Sequence, residues 1–214
     1  MPQLTGDNSP RYHDPMHFTL QDGTQVLLRP IIPEDRERIE IGMAALSPQS
    51  RYFRFFTTVA GLSDQQLRYF SQVDQHNHVA WIALEAADPK NPGLGIARFV
   101  RNRDDPKVAE AAFTVIDACQ HNGLGTILLA VLYVIAEARG VQVLRAIVLS
   151  ENTNVSNWLR SLGATESFSS GEFRLDLTVH HDPAHLPRTA SGQHFRHAIE
   201  AVQALVRRHD ATGS

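Results

Sequence analysis

Val108-Ala109-Glu110-Ala111-Ala112-Phe113-Thr114-Val115-Ile116, then Gln120-His121-Asn122-Gly123-Leu124-Gly125-Thr126, then an unbroken run to Arg139-Gly140, is the stretch that decides the fold. The first piece is apolar and rich in β-branched and aromatic residues, as a largely buried strand requires, with Glu110 its single charge. The run from Thr126 to Arg139 contains no glycine or proline and spaces Ile127, Leu128, Val131, Leu132 and Ile135 at helical intervals. Gly140 is a good C-terminal cap. A helix leaving a glycine turn points its unbonded N–H groups and the positive end of its dipole forward, which makes an anion site suited to phosphate. No Gly-Lys-Ser/Thr follows the glycines and a third glycine is missing, so the triphosphate loop and the dinucleotide fingerprint both fail. Asn122-Gly123 is also a hairpin signal, but a hairpin needs a strand next and a helical pattern follows.

The turn resembles the Gln/Arg-x-x-Gly-x-Gly/Ala element of the GNAT superfamily of acyl-CoA-dependent N-acetyltransferases, with Gln120, Gly123 and Gly125 in place. A second segment agrees. Val143–Leu149 reads as a strand, Asn152 opens a short helix through Trp158, and Leu162-Gly163 closes it, similar to the family's Asn-led helix ending in Leu-Gly. A third, Leu27-Leu28-Arg29-Pro30-Ile31 with Pro33-Glu34-Asp35 and then Leu46-Ser47-Pro48-Gln49-Ser50-Arg51-Tyr52-Phe53-Arg54-Phe55-Phe56, resembles the amino-terminal part of bacterial protein-lysine acetyltransferases of this class. The resemblance implies an α/β GNAT fold, a mixed central sheet flanked by helices, in which two neighbouring strands splay apart. It implies that acetyl-CoA is the donor, its pyrophosphate held by backbone amides of Gln120, His121, Asn122, Gly123, Leu124, Gly125 and Thr126. The pantetheine arm then enters the splay beside Thr114, Val115 and Ile116, and Asn152 completes the site. Many family members carry a Tyr four residues before the later glycine to protonate the leaving thiolate. Leu159 stands there instead.

The chemistry to be done is amine acetylation, and a lysine ammonium with a pKa of ~10.4 must lose a proton first. An acid among apolar neighbours is desolvated, which suits a general base, and Glu110 is that acid. On an isolated strand it would be taken for an edge-facing acid. Ala109, Glu110 and Phe113 match the Ala-Glu-x-x-Phe pattern at which several family members carry a catalytic glutamate, so the resemblance makes Glu110 the base. It also makes the N–H of Thr114, four residues on, the oxyanion donor. Four strand residues span ~13 Å, so Glu110 works through bound water unless a bulge shortens the path. Direct attack needs no acyl-enzyme, and Cys119 reads as a packed thiol. The preferred acceptor is a protein lysine. A small amine, or a silent CoA-binding sensor module, are the alternatives.

The remaining chain organises around this centre. Residues 1–17 mix Pro, Gly, Asn, Asp and His without periodicity and read as a flexible arm, 18–179 as the GNAT domain, and 180–214 as a linker with an amphipathic helix. Further elements are expected at Val26–Arg29 (strand), Pro33–Ala45 (helix), after Ser47 and Ser63 (capped helices), and at Val79–Ala86, Leu94–Val100 and Phe173–Val179 (strands). A turn at Pro89–Gly93 joins two of them. Histidines 180, 181 and 185 sit in a proline-containing linker and read as solvated, so no metal is expected. Phe195, Ile199, Val202 and Val206 form one stripe, which covers the domain's own core or, alternatively, makes a homodimer contact or a flap over the cleft. With 20 Lys and Arg against 23 Asp and Glu, bulk nucleic-acid binding is disfavoured. A single cysteine, no signal-peptide pattern and no bilayer-length apolar run point to a cytoplasmic protein without membrane contact.

Overall fold

The computed structural model of the protein describes residues 14–58, 61–87 and 93–212. Eight strands are formed: β1 (Met16–Thr19), β2 (Gln25–Pro30), β3 (His78–Glu85), β4 (Gly95–Arg101), β5 (Val108–Val115), β6 (Val143–Leu149), β7 (Thr165–Ser169) and β8 (Glu172–Thr178). They make one sheet in the order β1-β2-β3-β4-β5-β6-β8-β7. Every neighbouring pair is antiparallel except β5 and β6, which run parallel.

Helices cover both faces. On one side lie α1 (Arg36–Ala44), α2 (Pro48–Phe55) and α3 (Asp64–Ser71), and on the other α4 (Leu124–Ala138), α5 (Thr153–Ser161) and α6 (Ala190–Thr212). Strand β3 shows the consequence in its side chains. Val79, Trp81 and Ala83 enter the larger core, and Ala80, Ile82 and Leu84 the smaller one. Burial on both faces explains why this strand reads as a continuous apolar run.

Helix α4 is buried along most of its length because it is sandwiched between the sheet and α6. It begins at Leu124, so Gly125 belongs to its first turn rather than preceding it. Gly140 takes a φ of 72° just past its end, and the Val141 N–H returns to the Ala136 carbonyl at 2.9 Å, the left-handed stop that glycine favours. Phe195, Ile199, Val202 and Val206 of α6 lie in the larger core, with the Phe195 ring edge-on to Tyr133 at 5.4 Å. That apolar stripe covers the domain's own interior.

Two strands went unforeseen. β1 begins at Met16, inside the stretch read as an arm, and Met16 is buried against the larger core; residues 1–13 lie outside the described residues. β7 is exposed along its whole length and lacks any apolar alternation. The turn expected at Pro89–Gly93 falls mostly outside the described residues. In the histidine-containing linker, the His180 and His185 rings stack at 5.1 Å and His181 pairs with Glu137. Among the described residues no group of three metal-ligating side chains converges.

Candidate active site

Strands β5 and β6 share register only at Val108–Val143, Ala109–Leu144 and Glu110–Arg145. Beyond Glu110 they part, and the second half of β5 has a partner on one side only. Which backbone groups face the gap follows from the pairing on the other side. The Ile116 N–H donates to the Leu94 carbonyl and the Asn102 N–H to the Val108 carbonyl, and the β4–β5 register runs from Gly95–Val115 to Arg101–Ala109 without a bulge. Bonded pairs alternate in an antiparallel ladder, so the even-numbered residues of β5 turn their N–H groups to β4. The odd-numbered Ala111, Phe113 and Val115 turn theirs into the gap.

This corrects the backbone assignment. Thr114 was expected to offer its N–H to the acyl oxygen and Ile116 to pair with the ligand, yet both N–H groups belong to the β4 ladder, and Ile116 lines a different pocket on the α1–α3 side. Phe113 and Val115 take their place. Thr114 still reaches the cleft through its side chain.

The gap runs directly into the turn before α4. Gly123 caps the helix at a φ of 94°, and His121 also adopts a positive φ of 64°, which tilts successive peptide planes toward the cleft. Among the described residues no acceptor takes the N–H of His121, Gly123 or Gly125. Gly125 is informative for a different reason. Its φ is not positive, and a Cβ placed there would meet nothing within 4 Å, so neither backbone nor packing demands a glycine. A cradle of unbonded amides at a helix N-terminus fits the pyrophosphate of coenzyme A. Asn122 and Leu124 serve the turn itself: the Asn122 side chain accepts from the Leu124 N–H at 3.3 Å and donates to Asp22, and Leu124 is fully buried. The Gln120 side chain donates to the Val115 carbonyl at 3.1 Å, tying the turn to the end of β5.

These elements border one cleft of about 890 Å³, lined by Glu110, Phe113, Val115, Gln120, Gly125 and Asn152 among others. It is large enough for a cofactor-sized ligand. Asn152 caps α5 through its side-chain oxygen, which accepts from the Val155 N–H. Trp158 of α5 stands edge-on to Phe113 at 5.3 Å across the gap, and Leu159 beside it is buried in the larger core. Glu110 lies at the cleft wall but is exposed, because its apolar sequence neighbours alternate to the other face of β5. The desolvation expected for it is absent, and the Arg54 guanidinium interacts with it through space.

Sequence reasoning missed what fixes α2 beside this cleft. Ser47 donates to Asp117 through its N–H at 2.9 Å and its hydroxyl at 2.8 Å, and the Ser50 hydroxyl adds a third bond at 2.8 Å. Burial opposes ionisation of Asp117, but these donors outweigh it and hold the carboxyl below its usual range. Both serines of the Leu-Ser-x-x-Ser run are thereby explained. Asp117 opens the short 3-10 turn (Asp117–Cys119) after β5, so the clamp joins α2 to the cofactor side. The Cys119 thiol is pushed up by burial, with the Asp22 and Glu85 carboxylates adding to it, and is not a poised nucleophile.

Comparison with known proteins bears on the family and the fold. A family model described as an acetyltransferase (GNAT) domain matches residues 25–165. Acetyltransferase Pat of Mycolicibacterium smegmatis is 35% identical over 150 residues, which cover 70% of this chain and 44% of that protein. The chain therefore spans less than half the length of that relative. Acetyltransferase PA5475 of Pseudomonas aeruginosa is 30% identical over 145 residues, covering 68% of this chain and 77% of that protein. The crystal structure of the GNAT domain of S. lividans PAT superposes with a TM-score of 0.70 at 28% identity, over 77% of this chain and 96% of that one.

Proposed function

The chain belongs to the GNAT acetyltransferase family, and from that premise we propose that it transfers an acetyl group from acetyl-CoA to a primary amine, preferably a protein lysine. The observation that carries the reading is the free edge of β5 from Ala111 to Val115 running into the unbonded amides of the α4 turn. Acetyl-CoA supplies an activated acyl carbon as a thioester. Gly123 and Gly125 take the phosphates, Asn152 and Trp158 border the arm, and the Phe113 and Val115 N–H groups face the acyl oxygen, where negative charge develops. Glu110 accepts the ammonium proton through water, since it lies ~10 Å along the strand from Phe113. As the N–C bond forms the C–S bond breaks, and a proton from the amine ends on sulfur. Leu159 offers no hydroxyl for that last step, and a thiol pKa of ~8.5 makes the thiolate a tolerable leaving group.

The protein-lysine preference rests on the Leu46–Phe56 run and on the similarity to Pat. The test compares enzyme-dependent acetylation of a cell-extract proteome, read by mass spectrometry, with a panel of small amines at the same acetyl-CoA supply. Remote contacts position a protein acceptor, so folded substrates should be acetylated far better than free lysine or spermidine. Efficient turnover of one small amine with no protein acetylation would overturn the preference and leave the acyl-transfer reading intact.

A further inference from the structure

On the α1–α3 side of the sheet a side pocket opens off the cleft, and the two share Arg54, Phe55, Ala112 and Thr114. Its volume is about 60 Å³. Against the ~10–15 Å³ that admits one water, this is room for a chain of about four or five heavy atoms and not for a peptide. The wall is largely apolar, yet three arginines line it: Arg38, which pairs with Asp35 at 3.1 Å, and Arg54 and Arg98, which face no carboxylate within hydrogen-bonding distance among the described residues. Arg98 of β4 is only 5% exposed, and its neighbours in register on either strand are the small residues Ala80 and Ala112. Its hydrogen-bonding partners are neutral: the His78 ring at 3.0 Å and the Phe70 carbonyl at 3.2 Å. Burial, then the Arg98 charge, bring His78 down to about 4, so at neutral pH the ring offers a lone pair and no countercharge. Arg54 has no hydrogen bond or ion pair among the described residues. The guanidinium carbons of Arg98 and Arg54 lie 4.4 and 5.9 Å from the centroid of the same Phe70 ring.

Cation–π contact with Phe70 offsets part of the cost of taking these charges out of water. Arg98 is buried with no anion in hydrogen-bonding reach among the described residues, and half-buried Arg54 has only the through-space attraction of Glu110, so part of that cost stays uncompensated. As a strut from β4 to Phe70, Arg98 accounts for its own two bonds. It does not account for a second arginine beside it, nor for the opening onto the cleft.

We infer that this pocket is a carboxylate subsite, taking the free end of a short dicarboxylic acyl chain, malonyl or succinyl, carried on the CoA thioester. The inference rests on the reading of the cleft as a CoA thioester site. Ala112 and Thr114 face the pocket from the strand whose Phe113 and Val115 N–H groups face the acyl oxygen, so the chain crosses one strand to reach Arg54 and Arg98. Transfer balances as for acetyl: the amine nitrogen bonds to the thioester carbon, the C–S bond breaks, sulfur leaves with a proton from the amine, and the distal carboxylate is unchanged. A lysine would exchange its positive charge for a negative one. A carboxylate on the acceptor is the other source of the same chemistry, but the pocket lies under α1 and its size excludes a peptide backbone.

The test measures binding to the full chain by calorimetry with acetyl-, butyryl- and succinyl-CoA, butyryl matching succinyl in chain length without the charge. Succinyl-CoA should bind about tenfold more tightly than butyryl-CoA, as one charge-assisted contact supplies. Arg54→Met should bring that ratio close to one, and Arg98→Met should do the same. Because Arg98→Met also removes the link to Phe70, the Arg54 variant, whose side chain makes no hydrogen bond, keeps the test decisive if the other fails to fold. Equal binding in the wild type, or a preference that survives both substitutions, overturns the inference. So does an Arg54-dependent preference for a glutamate-flanked over an alanine-flanked lysine peptide without any preference among thioesters. If none of the three thioesters binds, the CoA reading of the cleft itself falls, which is a separate result.

Discussion

The two faces of the sheet are built on different terms. Under α4 and α6 the interior is apolar, with Trp81, Phe99, Leu128, Leu132 and Phe195 at 0 or 1% exposure, and the Tyr133 hydroxyl is satisfied by the His180 N–H at 2.7 Å. Under α1–α3 a smaller core is interrupted by buried charge, Asp35 at 0% and Arg98 at 5%. Asp35 is fully paired there, by Arg29 at 2.6 and 2.7 Å and by the Ile32 N–H at 3.0 Å. Burial opposes ionisation of Asp35, and these partners outweigh it and lower its pKa. Arg98 is not paired with any anion among the described residues. One face fixes where β5 and α4 stand, and the other keeps buried charge beside the cleft. Substitutions on the first should therefore lower stability and spare chemistry, while those on the second and in the cleft should do the reverse.

The largest effect is expected in the cleft. Gly125→Glu places bulk and negative charge where nothing lies within 4 Å, so the fold should persist while the melting-temperature rise given by acetyl-CoA disappears. An undiminished rise would remove the basis of the cofactor assignment. Glu110→Gln comes next: turnover near neutral pH should fall by about two to four orders of magnitude with acetyl-CoA affinity retained. Raising the pH should restore part of the loss, since the amine then arrives neutral, and wild-type turnover would make Glu110 structural. On the apolar face, Leu128→Ala should cost about 2–5 kcal/mol in denaturant unfolding and leave kcat of the folded protein nearly unchanged. A fall in kcat at full folding would break the division of labour between the faces.

A smaller effect should appear with pH. His78 is held at about 4 in the fold against an ordinary ~6.5, so the unfolded chain binds the extra proton first. The His78 contribution is complete above ~6.5 and is lost as the pH falls toward 4. Melting curves between pH 7 and 4 should show this decline, and His78→Gln should flatten it. The smallest effect belongs to Cys119→Ser. Turnover should match wild type and intact-mass measurement should find no acyl adduct, because the thiol is kept neutral by burial.

Much of this was legible in the chain. The β5–turn–α4 unit, the Asn152 cap and the stripe on α6 follow from periodicity and capping chemistry, because each is a local pattern whose residues lie within a few turns. β7 left no trace, since all its side chains are exposed and no alternation records a buried face. The Thr114 assignment failed for a related reason: side-chain pattern shows which face a strand buries, but the edge an N–H faces is set by the partner strand's register. The strand expected at Leu94–Val100 carried no sign that Arg98 is buried. Its burial is decided by α3, whose Phe70 supplies both a carbonyl and a ring.

The clamp on Asp117 also dates the assembly of the molecule. Ser47 and Asp117 are 70 residues apart, so at about 5–20 residues per second a ribosome needs roughly 4–14 s to deliver the anchor after the helix it holds. During that interval α2 has no Asp117 to dock on, and Tyr52 and Phe56, half-exposed even in the finished fold, stand in water. The helix that lines the cleft is thus made early and secured late. Its arrival at the cleft waits on the strand that also carries Glu110 and on the turn that ends it.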